Sequence, residues 1–210
     1  MTRPAAVLFD FGGVISTSPM DAFAAYEGQA GLPAGLIRQL NSTDPDDNAW
    51  ARYERREVDQ DGFCDLFEAE SAALGHTVDA RVVLAGLHGD LRPEMLSALQ
   101  VLSKAGLQLA LLTNNVSPIE QPGPLDDVLS CFEVIVQSSV EGVRKPEPAL
   151  YERALERLGG LAPTEVVFLD DLGVNLKPAR AMGMTTIKVG DPVAARRELQ
   201  ELVDLELVAA

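Results

Sequence analysis

Cysteine is scarce in this chain of 210 residues, and long apolar runs are missing from it. The two cysteines, Cys64 and Cys131, lie in unrelated segments and lack the spacing of metal ligands. This usage is typical of a reduced, cytoplasmic protein and gives no disulfide framework. No apolar run approaches the ~20 residues that a membrane-spanning helix needs, and the first residues, Met1–Pro4, lack a signal-peptide pattern. We therefore expect a cytoplasmic protein without a membrane partner.

Positively charged residues are also few. Lysine and arginine number 17 against 32 aspartates and glutamates, and the formal net charge is −15. Such a surface repels polyanions, which argues against nucleic acid as a general partner. It also means that a phosphate-binding site must supply its own local positive charge, from a lysine, a metal ion or backbone N–H groups.

Short apolar runs are present, and they have the length of strands that are buried on both faces of a sheet. They alternate with helix-like stretches that end at Gly106, Gly159 and Gly183. This alternation predicts an α/β fold with a doubly wound parallel sheet and right-handed crossovers. The predicted strands are Ala5–Phe9, Gln108–Leu112, Val134–Gln137, Val166–Leu169 and Thr185–Val189, and the helices are Pro93–Ala105, Pro148–Leu158, Leu176–Met182 and Val193–Val203.

The segment between the first two predicted strands has no convincing strand pattern. Met20–Ala30, Ala34–Leu40, Trp50–Glu57 and Gly62–Leu74 have the pattern of short helices instead. We therefore predict a core domain of residues 1–15 and 90–210, with a small α-helical cap of residues 16–89 inserted after the first strand.

Four separate segments carry residues suited to phosphate chemistry. Three of them end predicted strands, and ligands of a parallel α/β sheet bind beyond the carboxyl ends of its strands. One carboxylate, one hydroxyl with its neighbouring amide, one ammonium and a carboxylate pair form a set for metal-assisted phosphoryl transfer. The residues are Asp10, Thr113 with Asn114, Lys145, and Asp170 with Asp171.

Each of these residue types also has an ordinary structural interpretation. A lone Asp at a strand end is often a turn or cap, and Lys is usually a solvated surface residue. Adjacent acids can stabilise a helix N-terminus, but that role explains one acid of the pair Asp170 and Asp171 better than two. Two adjacent carboxylates repel each other unless a cation lies nearby, and Mg²⁺ prefers carboxylates, phosphate oxygens and waters as ligands. All four segments in this order favour a Mg²⁺ site in which Asp10 attacks phosphorus.

The four segments resemble the motifs of the haloacid dehalogenase superfamily, in the same order and across essentially the whole chain. The helical insertion is similar to the cap of some members, and Val140–Pro148 and Phe168–Arg180 resemble the N-terminal phosphatase domain of soluble epoxide hydrolases. Bacterial sugar-phosphate phosphatases are similar too. The resemblance implies that Asp10 is nucleophile and metal ligand, and that the Gly12 carbonyl, Asp171 and Asp170 complete the metal site. It also implies that Thr113, Asn114 and Lys145 bind phosphate.

One position departs from the family pattern. Phosphatases of this family carry a second Asp two residues after the nucleophile, as general acid and base, whereas this chain has Gly12 there. The backbone carbonyl survives the change, but the proton shuttle does not, and general acid–base catalysis is commonly worth ~10²–10⁴-fold. Either a leaving group of low pKa or an acid from the cap would compensate for the missing proton donor. The candidate cap residues are Asp44, Asp46, Asp47, Glu54, His76 and His88.

Three functions follow as expectations. The first is a Mg²⁺-dependent phosphatase of a small phosphorylated metabolite, either a sugar or a lipid phosphate, of reduced activity. The second is a 2-haloacid dehalogenase, which attacks carbon with the same Asp and needs no metal; the acid pair Asp170 and Asp171 disfavours it. The third is a catalytically silent phosphate-binding or regulatory module, for which Gly12 is the main support. The pattern is compatible with a monomer or a homodimer.

Overall fold

The protein has a five-stranded parallel sheet with helices on both faces. The computed structural model describes residues 3–119 and 121–207, so the ends of the predicted core, 1–2 and 208–210, lie outside the described residues. The strands run in the order β3-β2-β1-β4-β5, and every neighbouring pair is parallel. They are β1 Ala6–Phe9, β2 Gln108–Thr113, β3 Val134–Gln137, β4 Val166–Asp170 and β5 Thr185–Lys188.

The helices follow the strands in a doubly wound arrangement, which confirms the predicted fold class. Six α-helices, α1 to α6, lie between β1 and β2, and the others alternate with the remaining strands. They are α1 Met20–Ala30, α2 Leu36–Ser42, α3 Ala49–Glu54, α4 Gln60–Ala73, α5 Ala80–Ala85, α6 Pro93–Lys104, α7 Asp126–Leu129, α8 Ser138–Glu141, α9 Pro148–Arg157, α10 Gly173–Met182 and α11 Pro192–Val203.

Alternate residues of each strand enter two different hydrophobic layers. In β1, Val7 and Phe9 pack with α6 and α11, whereas Ala6 and Leu8 pack with α9 and α10. Because successive side chains of a strand point to opposite faces, a sheet covered on both faces needs apolar residues at every position. This requirement explains the uninterrupted apolar runs in the sequence.

The helices α1 to α5 have a hydrophobic cluster of their own. Its centre is aromatic: the rings of Trp50 and Tyr53 each lie 4.8 Å from that of Phe63, and Phe23 and Phe67 complete the cluster. The chain connects this cluster to the sheet near Ser16 and Leu91, which form an antiparallel bridge. The separate cluster supports the proposed division into a core of 1–15 and 90–210 and a cap of 16–89.

The structure corrects some predicted element boundaries. Helix α2 begins at Leu36 rather than Ala34, because Gly35 has φ +82°, which no right-handed helix accommodates. Helix α10 begins at Gly173, three residues before the predicted start. Helix α5 was absent from the prediction. Within residues 3–119 and 121–207, no helix is both long and apolar enough to cross a membrane.

Candidate active site

The predicted site residues meet at the carboxyl edge of the sheet. Phe9 of β1 is paired with Leu111 of β2 and Leu169 of β4, so the residues that follow these three positions lie side by side. Asp10 therefore comes next to Asp170, and Thr113 ends β2, the strand on its other side, one residue further along. The loop before α9 supplies Lys145 to the same place.

Lys145 joins two of the carboxylates. Its Nζ lies 2.8 Å from Oδ1 of Asp10 and 2.7 Å from Oδ2 of Asp170, and its side chain is 1% exposed. Burial opposes the charged form of Lys145, but the attraction of Asp10 and Asp170 outweighs it and raises the Lys145 pKa above its usual value. Lys145 is therefore a buried ammonium, unlike the solvated lysine that its residue type would suggest.

Asp170 is held rigidly by the elements around it. The Asn175 side-chain amide donates to both of its carboxylate oxygens at 3.1 Å, and the Leu172 N–H donates to Oδ1 at 2.8 Å. This bond from Leu172 folds the chain directly after β4 and starts α10 early. Asn175 thus orients a carboxylate of the site.

The other two carboxyl groups resist ionisation in the absence of a further cation. Burial, followed by repulsion from Asp170 and Asp171, raises the pKa of Asp10 to about 8, although Lys145 pulls it down. Burial and the charge of Asp170 raise the pKa of Asp171 to about 6, against the attraction of Lys145 and a hydrogen bond from Ser18. The Ser18 hydroxyl lies 3.4 Å from Oδ2 of Asp171.

These three acids can hold a metal ion. Asp10, Asp170 and Asp171 each offer a carboxylate oxygen, and the three oxygens lie within 4.8 Å of one another. When ionised they carry three negative charges against the single positive charge of Lys145. A divalent cation would balance the two that remain, and the ligand atoms are the hard oxygens that Mg²⁺ prefers.

Two glycines shape the turn after Asp10. At Gly12, φ is −66° and a Cβ atom would meet nothing within 4 Å, so neither the backbone nor the space at Cβ requires glycine there. Gly13 is different: its φ is +76°, and a Cβ atom would lie 2.3 Å from Oδ2 of Asp171. Only glycine lets the turn pass this close to the acid.

Thr113 and Asn114, the neighbouring residues predicted to bind phosphate, have different surroundings in the structure. Thr113 is buried at the end of β2 beside the cluster. The Asn114 side chain instead binds the backbone of Lys145 at two points. Its Oδ1 accepts from the Lys145 N–H at 2.8 Å, and its Nδ2 donates to the Lys145 carbonyl at 3.0 Å. Because the Asn114 side chain is engaged in these bonds, the backbone of Asn114 is the part that is left to bind phosphate.

Glu54, one of the four acids among the six candidate cap residues, contacts the core. Glu54, the last residue of α3, accepts from Arg144 Nε at 2.5 Å and from Asn114 Nδ2 at 3.1 Å. Asp47 pairs with Arg52 inside the cap, and Asp44, Asp46 and His88 are exposed. No pattern in the sequence favours Glu54 over the other candidates. No signal in the sequence points to Ser18 either, which lies in the connection to the cap.

The chain belongs to the haloacid dehalogenase-like hydrolase family, whose sequence model matches residues 4–183. This membership confirms the resemblance and establishes the class of enzyme as a hydrolase.

Relatives from three organisms support the assignment. The chain is 36% identical to mouse acyl-CoA dehydrogenase family member 10 and covers 19% of that protein with 96% of its own length. Against pig bifunctional epoxide hydrolase 2 it is 29% identical, over 97% of this chain and 39% of the relative. The chain thus spans well under half of these two relatives. It is 30% identical to the sesquiterpene phosphatase astK of Aspergillus oryzae, over 94% of the chain and 96% of the relative.

Solved structures share the fold at lower identity. A HAD-like family hydrolase from Porphyromonas gingivalis is 20% identical, with a TM-score of 0.67 over 95% of this chain and 99% of that one. A HAD family enzyme from Bacteroides thetaiotaomicron, solved in complex with magnesium and inorganic phosphate, is 19% identical, with a TM-score of 0.60 over 90% of this chain and 96% of that one.

Proposed function

We propose that this chain is a Mg²⁺-dependent phosphatase that hydrolyses a small phosphorylated metabolite through an aspartyl-phosphate intermediate on Asp10. The observation that carries the proposal is the cluster of buried Asp10, Asp170 and Lys145 with half-buried Asp171, which lacks two positive charges when its acids are ionised. The phosphatase astK, to which the chain is similar along nearly its whole length, supports the same reaction type.

Asp10, Asp170 and Asp171, together with the Gly12 carbonyl, would hold the Mg²⁺ ion. When bound, the ion would neutralise charge on the phosphoryl group and fix its position. It would also favour ionised Asp10, whose burial otherwise keeps the carboxyl protonated.

The two oxygens of Asp10 have different surroundings. Oδ1 accepts from the Phe11 N–H at 2.7 Å and from Lys145 Nζ at 2.8 Å. Among the residues that the structure describes, none donates to Oδ2. We therefore assign Oδ2 as the atom that attacks phosphorus, while the bonds to Oδ1 hold the carboxylate in place.

The reaction then proceeds in two displacements. Asp10 forms a bond to phosphorus while the bond from phosphorus to the leaving oxygen breaks, and that oxygen leaves with the electron pair. Water then attacks the phosphorus of the aspartyl phosphate, which releases inorganic phosphate and restores Asp10. In both steps Lys145 and the end of β2 at Thr113 offset negative charge on the phosphoryl oxygens.

Gly12 bears on the choice of substrate. Since the position of the usual proton donor has no side chain, the leaving oxygen must depart with little help. Esters with a weakly basic leaving group, such as a sugar 1-phosphate or an acyl phosphate, suit such a site. Lipid phosphates are the other substrate class that we propose to examine.

The test uses p-nitrophenyl phosphate, whose nitrophenolate leaves without an acid. We expect Mg²⁺-dependent release that stops in chelator and falls at least ~10³-fold in Asp10→Asn, because the nucleophile is lost. Asp65→Asn, a change at an exposed cap acid, should retain full activity. Absence of release with every good leaving group would favour the silent phosphate-binding module. Turnover of 2-haloacids that persists in chelator would favour the dehalogenase.

A further inference from the structure

We propose that Glu54 of the cap is a positioning residue for Lys145, acting through Asn114 and Arg144. This inference rests on the proposed function, because Lys145 matters as the ammonium of that site. Glu54 lies in α3, whose other side chains Trp50 and Tyr53 belong to the cap cluster. Its carboxylate reaches out of the cap to the loops that follow β2 and precede α9.

Glu54 is fixed between two core residues. A single oxygen, Oε2, accepts from both Arg144 Nε and Asn114 Nδ2. The side chains of Arg144 and Glu54 are 17% and 15% exposed, so the pair is far better shielded from water than a typical surface ion pair. Arg144 also donates to the Pro45 carbonyl at 2.9 Å, which gives the cap a second contact with the same side chain.

Asn114 passes this contact on to Lys145. Its side-chain amide is hydrogen-bonded to the Lys145 backbone at both the N–H and the carbonyl. The same Nδ2 that bonds the Lys145 carbonyl also bonds Glu54. Glu54 therefore helps to fix the rotation of the amide, and its bond with Arg144 fixes the residue directly before Lys145. In this way the cap acts on the Lys145 backbone through its hydrogen-bond partner Asn114 and through the preceding residue.

The position of that backbone determines where the ammonium lies. Lys145 Nζ has to stay within hydrogen-bond distance of both Asp10 and Asp170. A displacement of about 1 Å at a catalytic group can cost about 10²-fold in rate. When Glu54 withdraws, Asn114 and Arg144 lose their shared partner, so the site is complete only while the cap is in contact with the core.

Proton donation does not explain the same contacts. The Glu54 oxygen that faces the core accepts two hydrogen bonds, one of them from a guanidinium. Glu54 thus acts through Asn114 and Arg144 and does not replace the family Asp that is missing at Gly12.

The experiment compares Glu54→Ala and Glu54→Gln with Glu57→Ala. Glu57 is the matched control, since it is a cap acid three residues away that pairs with Arg55 inside the cap. Hydrogen exchange at the Lys145 amide gives a readout that needs neither turnover nor ligand, because this N–H is bonded to Asn114. Steady-state hydrolysis of p-nitrophenyl phosphate with saturating Mg²⁺ gives kcat and KM.

In Glu54→Ala we expect exchange at the Lys145 amide to accelerate about tenfold or more, and kcat to fall ~10–100-fold with KM changed much less. Glu54→Gln keeps an acceptor for Asn114 and should recover part of kcat. Glu57→Ala should match the unaltered chain in both measurements.

The inference is overturned if folded Glu54→Ala exchanges the Lys145 amide at the unaltered rate. It is also overturned if Glu57→Ala gives the same losses, because that result would indicate general loosening of the cap. Faster exchange in Glu54→Ala in a chain that hydrolyses no ester would support the positioning contact and refute the proposed function.

Discussion

Gly12 lies two residues after the candidate nucleophile, in a backbone conformation that every residue type adopts, with φ −66° and ψ 131°. Its missing Cβ would point into open space, so an acid can be introduced without a clash. We predict that Gly12→Asp raises kcat for alkyl phosphates by ~10²–10⁴-fold, the usual worth of general acid–base catalysis. The rate for p-nitrophenyl phosphate should change far less, because its leaving group needs no proton.

Gly12→Asn is the control, since it adds the same volume without a carboxyl group. Phosphate release from both esters measures the effect. Equal gains for good and poor leaving groups, or equal gains in the Asn variant, would show that the missing acid does not limit this site.

The raised pKa values of Asp10 and Asp171 make stability depend on pH and metal. Their pKa values are about 8 and about 6, against 3.8 for an ordinary Asp. The folded state therefore holds these protons more tightly than the unfolded state does. The resulting stabilisation is complete below about pH 4 and is lost as the pH rises through 6 and 8.

We expect the Tm of the metal-free protein to fall between pH 5.5 and pH 8.5, and to fall less in Asp10→Asn, which has no proton to lose at that position. Mg²⁺ should raise the Tm more at pH 8.5, where the acids are ionised, than at pH 5.5. Thermal unfolding with and without chelator measures both effects. A larger Mg²⁺ effect at the lower pH would contradict the assigned ligands.

Among the helices, α3 and α4 of the cap pack against each other around the ring of Phe63. Phe63 is fully buried and lies next to Trp50, Tyr53 and Phe67, with ring centroids at 4.8, 4.8 and 5.3 Å. Removing a buried aromatic ring commonly costs ~3–5 kcal/mol. Because this cluster is separate from the two layers on the sheet, we predict that Phe63→Ala loosens the cap first.

Trp50 is the single tryptophan of the chain and therefore reports on the cap. In Phe63→Ala its emission should shift to the red at a lower urea concentration than the loss of helical circular dichroism. In the unaltered chain we expect the two transitions to lie closer together. Coincident transitions in the variant would show that the cap and the sheet unfold as one unit.

The elements also explain which parts of the fold were predictable. Strands β1, β2 and β4 are covered on both faces, so nearly every residue is apolar and the run is visible without any partner. Helix α5 has six residues, and its Asp79 cap, which accepts from the N–H groups of Arg81 and Val82, was the one local signal. Such a short helix is stabilised by its neighbours rather than by its own sequence.

The sheet also explains which site residues were predictable. Asp10 and Asp170 were predictable because each lies at a strand end that the sheet brings to one edge, whereas Lys145 lies in the loop before α9 and was predicted from its segment, Arg144-Lys145-Pro146. The link from Glu54 to Asn114 was not, since it depends on how the cap packs against the core. No periodicity in the sequence encodes that orientation.

At the scale of the whole molecule, charge governs the approach of substrate. The site is locally balanced once a divalent cation joins Lys145 and the three acids, so the field at a distance is set by the rest of a chain whose formal net charge is −15 before the cation binds. A phosphate monoester is a dianion at neutral pH, and it is repelled by this field. Salt screens such repulsion over about 10 Å at 0.1 M.

We therefore predict that kcat/KM for a dianionic ester rises as KCl increases from about 10 to about 150 mM, the range over which screening becomes strong. Mg²⁺ has to be saturating throughout, since salt also weakens the attraction of the acidic protein for the cation. The value of kcat should stay nearly constant, because screening changes the approach of the substrate and leaves the buried contacts of Lys145 intact. Steady-state kinetics at fixed pH measure both constants. A parallel series at the same ionic strengths, with a different monovalent cation, controls for specific ion effects. A fall in kcat/KM with salt would mean that a local positive surface, rather than the net charge, guides the substrate to Asp10.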